Sequence, residues 1–251
     1  MPKVKILQLN AWTGRIKDGL SRFIADGDYD IVCLQEAIWS EKGSDFLELY
    51  LDTVDKIKHL GDFPYDFRSS NYGVSIFGGE AQVEQGNVIL SKIPFKNTNE
   101  ITVYGQYSIA DTLSTSSATI NKHCYTAQKV QLENGLTLAN YHGYYLTNPI
   151  GDETTIECMH NVAEMLKKVT SPVVMCGDLN VISESPAMRE LDFLSDLTAQ
   201  NQVKTTLRNI RFVEDVPCDH ILVSNDIKYE NFQVINAPVS DHRALTVEIN
   251  I

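Results

Sequence analysis

Residues 173–180 read Val-Val-Met-Cys-Gly-Asp-Leu-Asn, an apolar run that leads directly into a carboxylate and a carboxamide. Four consecutive apolar residues are typical of a strand buried on both faces, and Gly177 marks the end of that run. Apolar residues recur at helical spacing between 156 and 169, and Pro172 separates this helix from the strand. A helix that leads into a buried strand indicates an α/β fold.

The N-terminal part of the chain has the same kind of organisation. A strand pattern runs from Val4 to Asn10, a helical pattern follows as far as Gly27, and an apolar run covers residues 29–34. This second strand is expected to end at Gln35-Glu36. Residues 45–60 again carry apolar side chains at helical spacing, so strands and helices alternate in this region.

The middle and the end of the chain are rich in short strand patterns. From about residue 65 to 142, alternating runs are broken by Gly, Asn and Pro, which predicts a meander of antiparallel strands. Asn134-Gly135 between two of these runs predicts a hairpin. Three further strand patterns lie in the tail: Ile221–Ser224, Phe232–Ile235 and Ala244–Ile249. No linker, charge block or repeat divides residues 1–251, which predicts one domain with two sheets face to face and helices outside them.

Composition and charge narrow the class of protein. The chain has 251 residues, 43% hydrophobic and 22% charged, so a large core is available and disordered or fibrous classes are excluded. It carries 21 Lys plus Arg against 33 Asp plus Glu, a net charge of −12. A protein that coats nucleic acid with cations would be basic, whereas carboxylates that bind a divalent metal would add to the negative count.

The cysteines and the N-terminus indicate the cellular compartment expected for the protein. The five cysteines have no zinc-site spacing, and Cys33 and Cys176 lie inside apolar runs, which indicates buried reduced thiols. The N-terminus has no apolar segment of secretory length, and no stretch reaches the ~20 apolar residues of a membrane span. These features predict a cytoplasmic protein without a membrane span.

Polar side chains gather at the predicted strand ends. Five of them lie at or just after the C-terminal end of a strand pattern: Asn10, Glu36, His142, Asp178 and Asn180. Three more come just before a strand pattern: Asp219, Asp241 and His242. Side chains at the rim of a sheet can converge on one pocket although they are distant in sequence. Carboxylates and carboxamides suit Mg²⁺ or Mn²⁺, and imidazoles beside such a metal can act as general acid or base.

Each motif alone has a plain structural alternative. Gly177-Asp178-Leu179-Asn180 could be a polar turn, Ser240-Asp241-His242 a capped turn, and Glu36 a solvated charge. These alternatives do not predict that every one of the motifs occupies a strand end in this order.

In this order and spacing, the motifs resemble those of the endonuclease/exonuclease/phosphatase superfamily, which includes deoxyribonuclease I. The shared pieces are Leu9-Asn10, Leu34-Gln35-Glu36, Gly86-Asn87-Val88-Ile89-Leu90-Ser91, His142, Gly177-Asp178-Leu179-Asn180, Asp219-His220 and Ser240-Asp241-His242. The resemblance implies a four-layer α/β/β/α sandwich, in which two mainly antiparallel sheets are flanked by helices. Its active site would open at the edges of the two sheets.

The resemblance also implies how a metal would be held. Glu36 corresponds to the main ligand of a Mg²⁺ or Mn²⁺ ion, with Asn10 and Asp241 close to it. Asp178 and Asn180 correspond to the pair that positions the nucleophilic water, stabilises the phosphoryl oxygens or, in some members, holds a second metal.

Two imidazoles complete the implied catalytic set. His242 corresponds to the imidazole that engages the phosphate or activates water, and Asp219 to the carboxylate that orients it. His142 corresponds to the second imidazole, which protonates the leaving oxygen in nuclease-like members. His220 takes a position often filled by Tyr, and it is expected to alternate away from the pocket as a satisfied or solvated side chain.

Substrate contacts have weaker signals in the sequence. Lys204, Arg208 and Arg211 form the densest cationic stretch, which could grip a substrate phosphate or form a solvated loop. Arg15 is a further candidate because it follows Asn10 closely and could line the same rim.

Together, the residues and the resemblance predict a Mg²⁺- or Mn²⁺-dependent phosphodiesterase that acts on nucleic acid. It would be a nuclease or an end-processing enzyme of DNA repair, similar to the tyrosyl-DNA phosphodiesterase branch, and the acidic charge favours ends or short single strands. The alternative activity is hydrolysis of inositol phosphates or phospholipid headgroups, as in sphingomyelinase-like relatives. A third alternative is a binding module with a silent site. Nucleic acid would be a transient substrate of a monomer without an obligate protein partner.

Overall fold

The structure is a computed structural model that describes residues 3–40, 53–75, 83–110, 123–208 and 216–250. In chain order its strands are β1 (Lys3–Asn10), β2 (Ile31–Trp39), β3 (Tyr65–Val74), β4 (Val83–Ser91), β5 (Phe95–Tyr104), β6 (Ile109–Ala110), β7 (Tyr125–Leu132), β8 (Thr137–Tyr141), β9 (Val173–Asp178), β10 (Leu194–Asp196), β11 (Asp219–Ser224), β12 (Lys228–Ile235) and β13 (Ala244–Asn250). They form a seven-stranded sheet in the order β12-β13-β1-β2-β4-β3-β6 and a six-stranded sheet in the order β10-β11-β9-β8-β7-β5.

Both sheets are mainly antiparallel. Parallel pairing joins β1 to β2, β3 to β6 and β8 to β9, and the other neighbouring strands in the two sheets pair antiparallel. The meander expected over residues 65–142 is therefore divided, because the chain leaves the first sheet after β4 and enters the second at β5. The hairpin at Asn134-Gly135 is confirmed: it joins β7 to β8, and Gly135 adopts a φ of +92° there.

Helices cover the outer faces of the sheets. They are α1 (Lys17–Asp26), α2 (Val54–Leu60) and α3 (Glu153–Leu166). The short α4 (Leu197–Gln200) instead places Leu197 in the core between the sheets, and 3₁₀ turns occupy Trp12–Gly14 and Pro186–Leu191. Apolar side chains of α1 and α2 pack on the outer face of the first sheet, and those of α3 pack on the second. The four-layer sandwich is thereby confirmed. Of the helix predicted over residues 45–60, the structure describes only the C-terminal part, and residues 41–52 lie outside the described residues.

The side chains between the sheets change in character along each strand. In β1, Ile6 belongs to the core between the sheets, whereas Leu7 and Leu9 pack against the helices. By the two-residue period of a strand, Gln8 and Asn10 share the inner side with Ile6. In β9 the inner side likewise runs through Val174 and Cys176 to Asp178, so the interior is apolar at one edge and polar at the other. The polar side chains at the ends of β1 and β9, Asn10 and Asp178, therefore lie at the same rim of the sandwich.

The second strand does not end at Gln35-Glu36, as the sequence predicted, but continues to Trp39. Its pairing with β4 shifts between Leu34 and Ala37, which is a β-bulge that accommodates an extra residue. Glu36 has a φ of +48° at this bulge. Because of the bulge, the side chain of Gln35 bonds to Asn140 in the interior, whereas the side chain of the next residue, Glu36, lies at the rim.

A second bulge lies on the other side of β4. The pairing of β3 with β4 shifts between Ser70 and Tyr72, which leaves Asn71 as the extra residue. Gly86 of β4 pairs with Ala37 at the first bulge and with Ser70 at the second. A Cβ at Gly86 would lie 2.0 Å from the Ser69 carbonyl oxygen, so the close approach of β3 requires glycine.

None of the helices that the structure describes is long and apolar enough to span a membrane.

Substituting Gly86 by Ala should therefore destabilise the fold. We expect Gly86→Ala to lower the free energy of unfolding by about 1–3 kcal/mol, because the new methyl group meets backbone atoms that cannot rotate away. Urea unfolding followed by circular dichroism measures this. Gly19→Ala on the exposed side of α1 is the control and should change the same quantity by no more than about 1 kcal/mol. Equal effects of the two substitutions would show that the packing around Gly86 is not restrictive.

Candidate functional site

An ion pair between His242 and Asp219 lies at the centre of the rim. His242 Nδ1 is 2.8 Å from Asp219 Oδ2, and Asp219 is completely buried as the first residue of β11. The second carboxylate oxygen of Asp219 accepts a hydrogen bond of 2.9 Å from Gln8 Nε2. The carboxylate is thus held from both sides, which fixes the ring orientation of His242.

The electrostatics of this pair favour a charged imidazole. Burial alone would lower the pKa of His242, but the carboxylates of Asp219 and Asp178 outweigh it and raise that pKa to about 10. Burial alone would raise the pKa of Asp219, but His242 and the hydrogen bonds from Thr206 and Gln8 lower it below its ordinary value. His242 is therefore positioned as a cation at neutral pH.

Asp178 faces both imidazoles from the end of β9. Its Oδ2 atom is 3.6 Å from His142 Nε2 and 3.7 Å from His242 Nε2. Burial raises the pKa of Asp178, and the neighbouring Asp219 carboxylate raises it further against the opposing effect of His242. Asp178 is thus a buried carboxyl placed between the two imidazoles, close to both Nε2 atoms but hydrogen-bonded to neither.

Asn10 holds the two acidic groups of the rim together. Its Nδ2 atom donates to Asp178 Oδ2 at 2.9 Å and to Glu36 Oε1 at 3.2 Å. Its Oδ1 atom accepts a hydrogen bond of 2.9 Å from the backbone nitrogen of Trp12. Glu36 Oε1 also lies 4.0 Å from His142 Nε2. The positive φ of Glu36 is a conformation that residues other than Gly, Asn and Asp rarely adopt, and such strain is common at functional sites.

Asn180 is fixed by the turn that follows β9. Its backbone φ is +56°, which Asn tolerates better than most residues, and its nitrogen donates to Asp178 Oδ1 at 3.1 Å. Its side-chain Nδ2 donates to the carbonyl of Gly143 at 2.9 Å. A Cβ at Gly143 would lie 2.1 Å from the Leu179 carbonyl oxygen, so glycine allows the residue after His142 to approach this turn.

These side chains surround a cavity of about 120 Å³. Six of the sequence-predicted residues line it: Glu36, His142, Asp178, Asn180, Asp241 and His242. Asn10 and Asp219 contact this group through the hydrogen bonds given above. The structure therefore brings the eight candidates together, as the strand-end argument expected.

The basic candidates that the structure describes, Arg15, Lys204 and Arg208, do not line this cavity. Arg208 donates from Nε to Asn236 Oδ1 and from Nη1 to the Ser240 carbonyl, both at 2.9 Å, so its guanidinium holds the loop before β13. Arg15 lies over the Trp12 ring, 4.9 Å from its centre. Lys204 lies in a separate surface hollow. Arg211 lies outside the described residues.

The sequence missed a part of the cavity wall. Asn71, Tyr72, Gln85 and His123 also line it. They belong to no recognisable motif, and β3 and β4 bring the first three there through strand pairing and the bulge at Asn71. The alternation of Gly, Asn and apolar residues predicted these strands but gave no signal for the bulge.

The site has the ligands that a hard divalent cation requires. Glu36, Asp178 and Asp241 offer carboxylate oxygens at one cavity, and Asn10 bridges two of them. A second group, Asp178, Cys218, Asp219 and His242, also has ligand atoms within 4.8 Å of one another. In that group Asp219 already accepts from His242 and Gln8, and the thiol suits soft metals, so the oxygen-rich set fits Mg²⁺ or Mn²⁺ better.

The comparison with known families agrees with this geometry. The sequence profile of the Endonuclease/Exonuclease/phosphatase family matches residues 7–242. The chain belongs to this family. Its members are phosphoric ester hydrolases that commonly use divalent metals, and the resemblance seen in the motifs is confirmed.

Individual relatives are distant in sequence. A UPF0294 protein of Vibrio campbellii is 24% identical over 123 residues, which is 49% of this chain and 43% of that relative. A family member from Bacteroides vulgatus has a TM-score of 0.70 at 15% identity, with 100% of both chains covered. The mannosyl-6-phosphatase Bt3783 of Bacteroides thetaiotaomicron has a TM-score of 0.66 at 14% identity, with 99% of this chain and 100% of that chain covered. At these identities the structures share the fold.

His220, next to Asp219 in the chain, turns away from the cavity as expected. It is fully buried; Nδ1 lies 3.0 Å from Asp196 Oδ2 and Nε2 lies 2.9 Å from the Val181 carbonyl. Because both ring nitrogens face acceptors, the doubly protonated ring fits this position. Burial alone would lower the pKa of His220, but Asp196 outweighs it and raises that pKa above its ordinary value.

This buried pair should make stability depend on pH. A histidine whose pKa is raised by folding contributes stability below its unfolded pKa of about 6.5, and this is lost as pH rises through the raised pKa. We expect His220→Gln to cost about 3 kcal/mol of unfolding free energy at pH 6 and less as pH rises. Urea unfolding of both proteins between pH 6 and 9 measures the difference. The exposed pair of His160 with Glu190 is the control, and a pH-independent cost for His220→Gln would contradict the charged-pair assignment.

Proposed function

We propose that this chain is a divalent-metal-dependent phosphodiesterase that acts on nucleic acid, at ends or short single strands. The observation that carries the proposal is the His242–Asp219 pair, at 2.8 Å, beside Asp178 and Glu36 in one cavity. Phosphoryl transfer requires an aligned water, neutralisation of charge on the phosphoryl oxygens and a proton for the leaving oxygen. The site has a candidate for each requirement.

The imidazoles and Asp178 divide these tasks. His242 is held as a cation by Asp219 and would stabilise the negative charge of the phosphoryl group. Asp178 and Asn180 lie in the same turn and would orient the attacking water. His142, whose Nε2 lies 3.6 Å from Asp178, would protonate the leaving oxygen.

Glu36 would be the principal ligand of the cation, with Asn10 and Asp241 beside it. A bound Mg²⁺ or Mn²⁺ would supply positive charge against the phosphoryl oxygens. The Asn10 amide now links Glu36 to Asp178, and it would keep both carboxylates at the rim.

A second substrate class has a specific observation in its favour. Among the described residues, no Lys or Arg lines the cavity, and Arg208 is occupied by the Ser240 carbonyl. A narrow cavity without cations suits a small ester with one phosphate, such as an inositol phosphate or a phospholipid headgroup, better than a long charged strand.

The test of the catalytic assignment is substitution of His242 and Asp178. We expect His242→Ala and Asp178→Asn each to lower Mg²⁺- or Mn²⁺-dependent turnover at least 100-fold, because each removes a group that acts on the phosphate or the water. The substrates are end-labelled single-stranded DNA, nicked duplex, a 5′-tyrosyl end, inositol phosphate and bis(p-nitrophenyl) phosphate. His160→Ala on the surface of α3 is the matched control and should retain parental activity.

Near-parental activity of either variant would refute the assigned roles. Cleavage of DNA ends that is lost in EDTA and in His242→Ala would select nucleic acid as the substrate. Cleavage confined to inositol phosphate would select the second class.

Metal binding can be tested without any substrate. We expect Mg²⁺ or Mn²⁺ to raise the thermal unfolding temperature of the parent, because a ligand of the folded state stabilises it. Glu36→Gln should abolish most of this shift, since it removes the principal ligand charge. The control is Glu164→Gln on the exposed face of α3, which should leave the shift unchanged. An equal metal-induced shift in the Glu36→Gln variant would show that Glu36 is not a ligand.

A further inference from the structure

One part of the cavity wall has no role in the proposed chemistry. It consists of Asn71, Tyr72 and Gln85, which we call the amide wall. Tyr72 of β3 pairs directly with Gln85 of β4, and the bulge adds Asn71 beside them. These residues line the same cavity as His242 and Asp178, so they are candidates to contact a group attached to a phosphate at the site.

Gln85 is the decisive residue of the amide wall. Its side chain is only 5% exposed, and its amide makes no hydrogen bond within the part of the chain that the structure describes. An amide that lines a cavity and bonds to no described residue is available to donate to and accept from a ligand group there.

Asn71 adds a donor to the same surface. Its Oδ1 atom accepts from the Thr126 hydroxyl at 2.8 Å and from the Thr126 nitrogen at 3.3 Å. These bonds fix the side chain, and no described residue accepts from its Nδ2 atom. The amide wall therefore offers Gln85 as donor and acceptor and Asn71 as donor.

The aromatic rings beside these amides are packed against each other. Tyr72 stacks on His123 with ring centres 4.2 Å apart and an angle of 16° between the planes. The two residues are only 4% and 6% exposed, so they present no open face on which a base could stack. The stack makes the wall rigid, and the absence of Lys and Arg among the described lining residues argues against a second phosphate there.

We propose that the amide wall binds the hydroxyl groups of a neutral sugar or polyol ring esterified to the phosphate. A hydroxyl group both donates and accepts a hydrogen bond, which matches the two kinds of polar atom on Gln85 and the donor on Asn71. The inference rests on the proposed phosphoester hydrolysis and adds the specificity-determining residues for the esterified group. Sugar rings from hexose, inositol and ribonucleotide esters share this chemistry.

Gln85→Met tests the proposal because it keeps the length of the side chain and removes its amide. The hydroxyl-bearing probes are a hexose 6-phosphate, an inositol monophosphate and a ribonucleoside 5′-(p-nitrophenyl phosphate). Phenyl phosphate and bis(p-nitrophenyl) phosphate serve as probes without hydroxyl groups. We expect kcat/KM to fall about 10- to 100-fold for the hydroxyl-bearing ester that the parent prefers and less than about 2-fold for the hydroxyl-free esters.

Gln131→Met on β7 in the second sheet, which does not line this cavity, is the matched control and should change neither class. An equal loss on both classes, or parental activity of Gln85→Met on both, would overturn the proposal. A parent that cleaves only hydroxyl-free esters would also overturn it. Failure of the proposed function has a different signature, since the parent would then hydrolyse no ester in a manner sensitive to EDTA and to His242→Ala.

Discussion

Gln8 donates its side-chain amide to Gln35 and to Asp219, each at 2.9 Å, and this buried link holds the rim to the interior. Gln35 in turn donates to Asn140 at 2.7 Å, across the gap between the two sheets. Buried amide donors are stabilised by acceptors, and those of Gln8 and Gln35 reach theirs only if both sheets have the correct register. The carboxylate beside His242 thus depends on pairing across the whole interior, in addition to its immediate neighbours.

The same interior explains why a site can form at this edge. Inner positions are apolar at Ile6 and Cys176 and become polar at Gln8, Asn10 and Asp178 as the strands approach the rim. The core supplies the hydrophobic stabilisation, and the hydrogen-bonded amides allow carboxylates to lie beside it without contact with bulk water. Two bulges on either side of β4 then add residues to the cavity that regular strands would direct elsewhere.

The sequence predicted the layers of the sandwich and the assembly of polar strand ends, because both follow from periodicity and from the ends of strands. It placed the end of β2 at Glu36, since the bulge and the positive φ there have no local signal. It could not show that the Arg208 guanidinium donates to the Ser240 carbonyl, because that hydrogen bond joins segments distant in the chain. Gln85 escaped notice for the same reason: only the pairing of β4 with β3 brings it to the cavity.

The pairing of β1 with β13 has a consequence for biosynthesis. Lys3 pairs with Asn250, so the central strand that carries Asn10 gains one of its two neighbours only from the last strand described. Pairing between segments so distant in sequence forms slowly, and until then β1 has an open edge that other chains could join. A chain synthesised only as far as β12 would lack both the second neighbour of β1 and the segment with His242, so the candidate site can assemble only after β13 has been made.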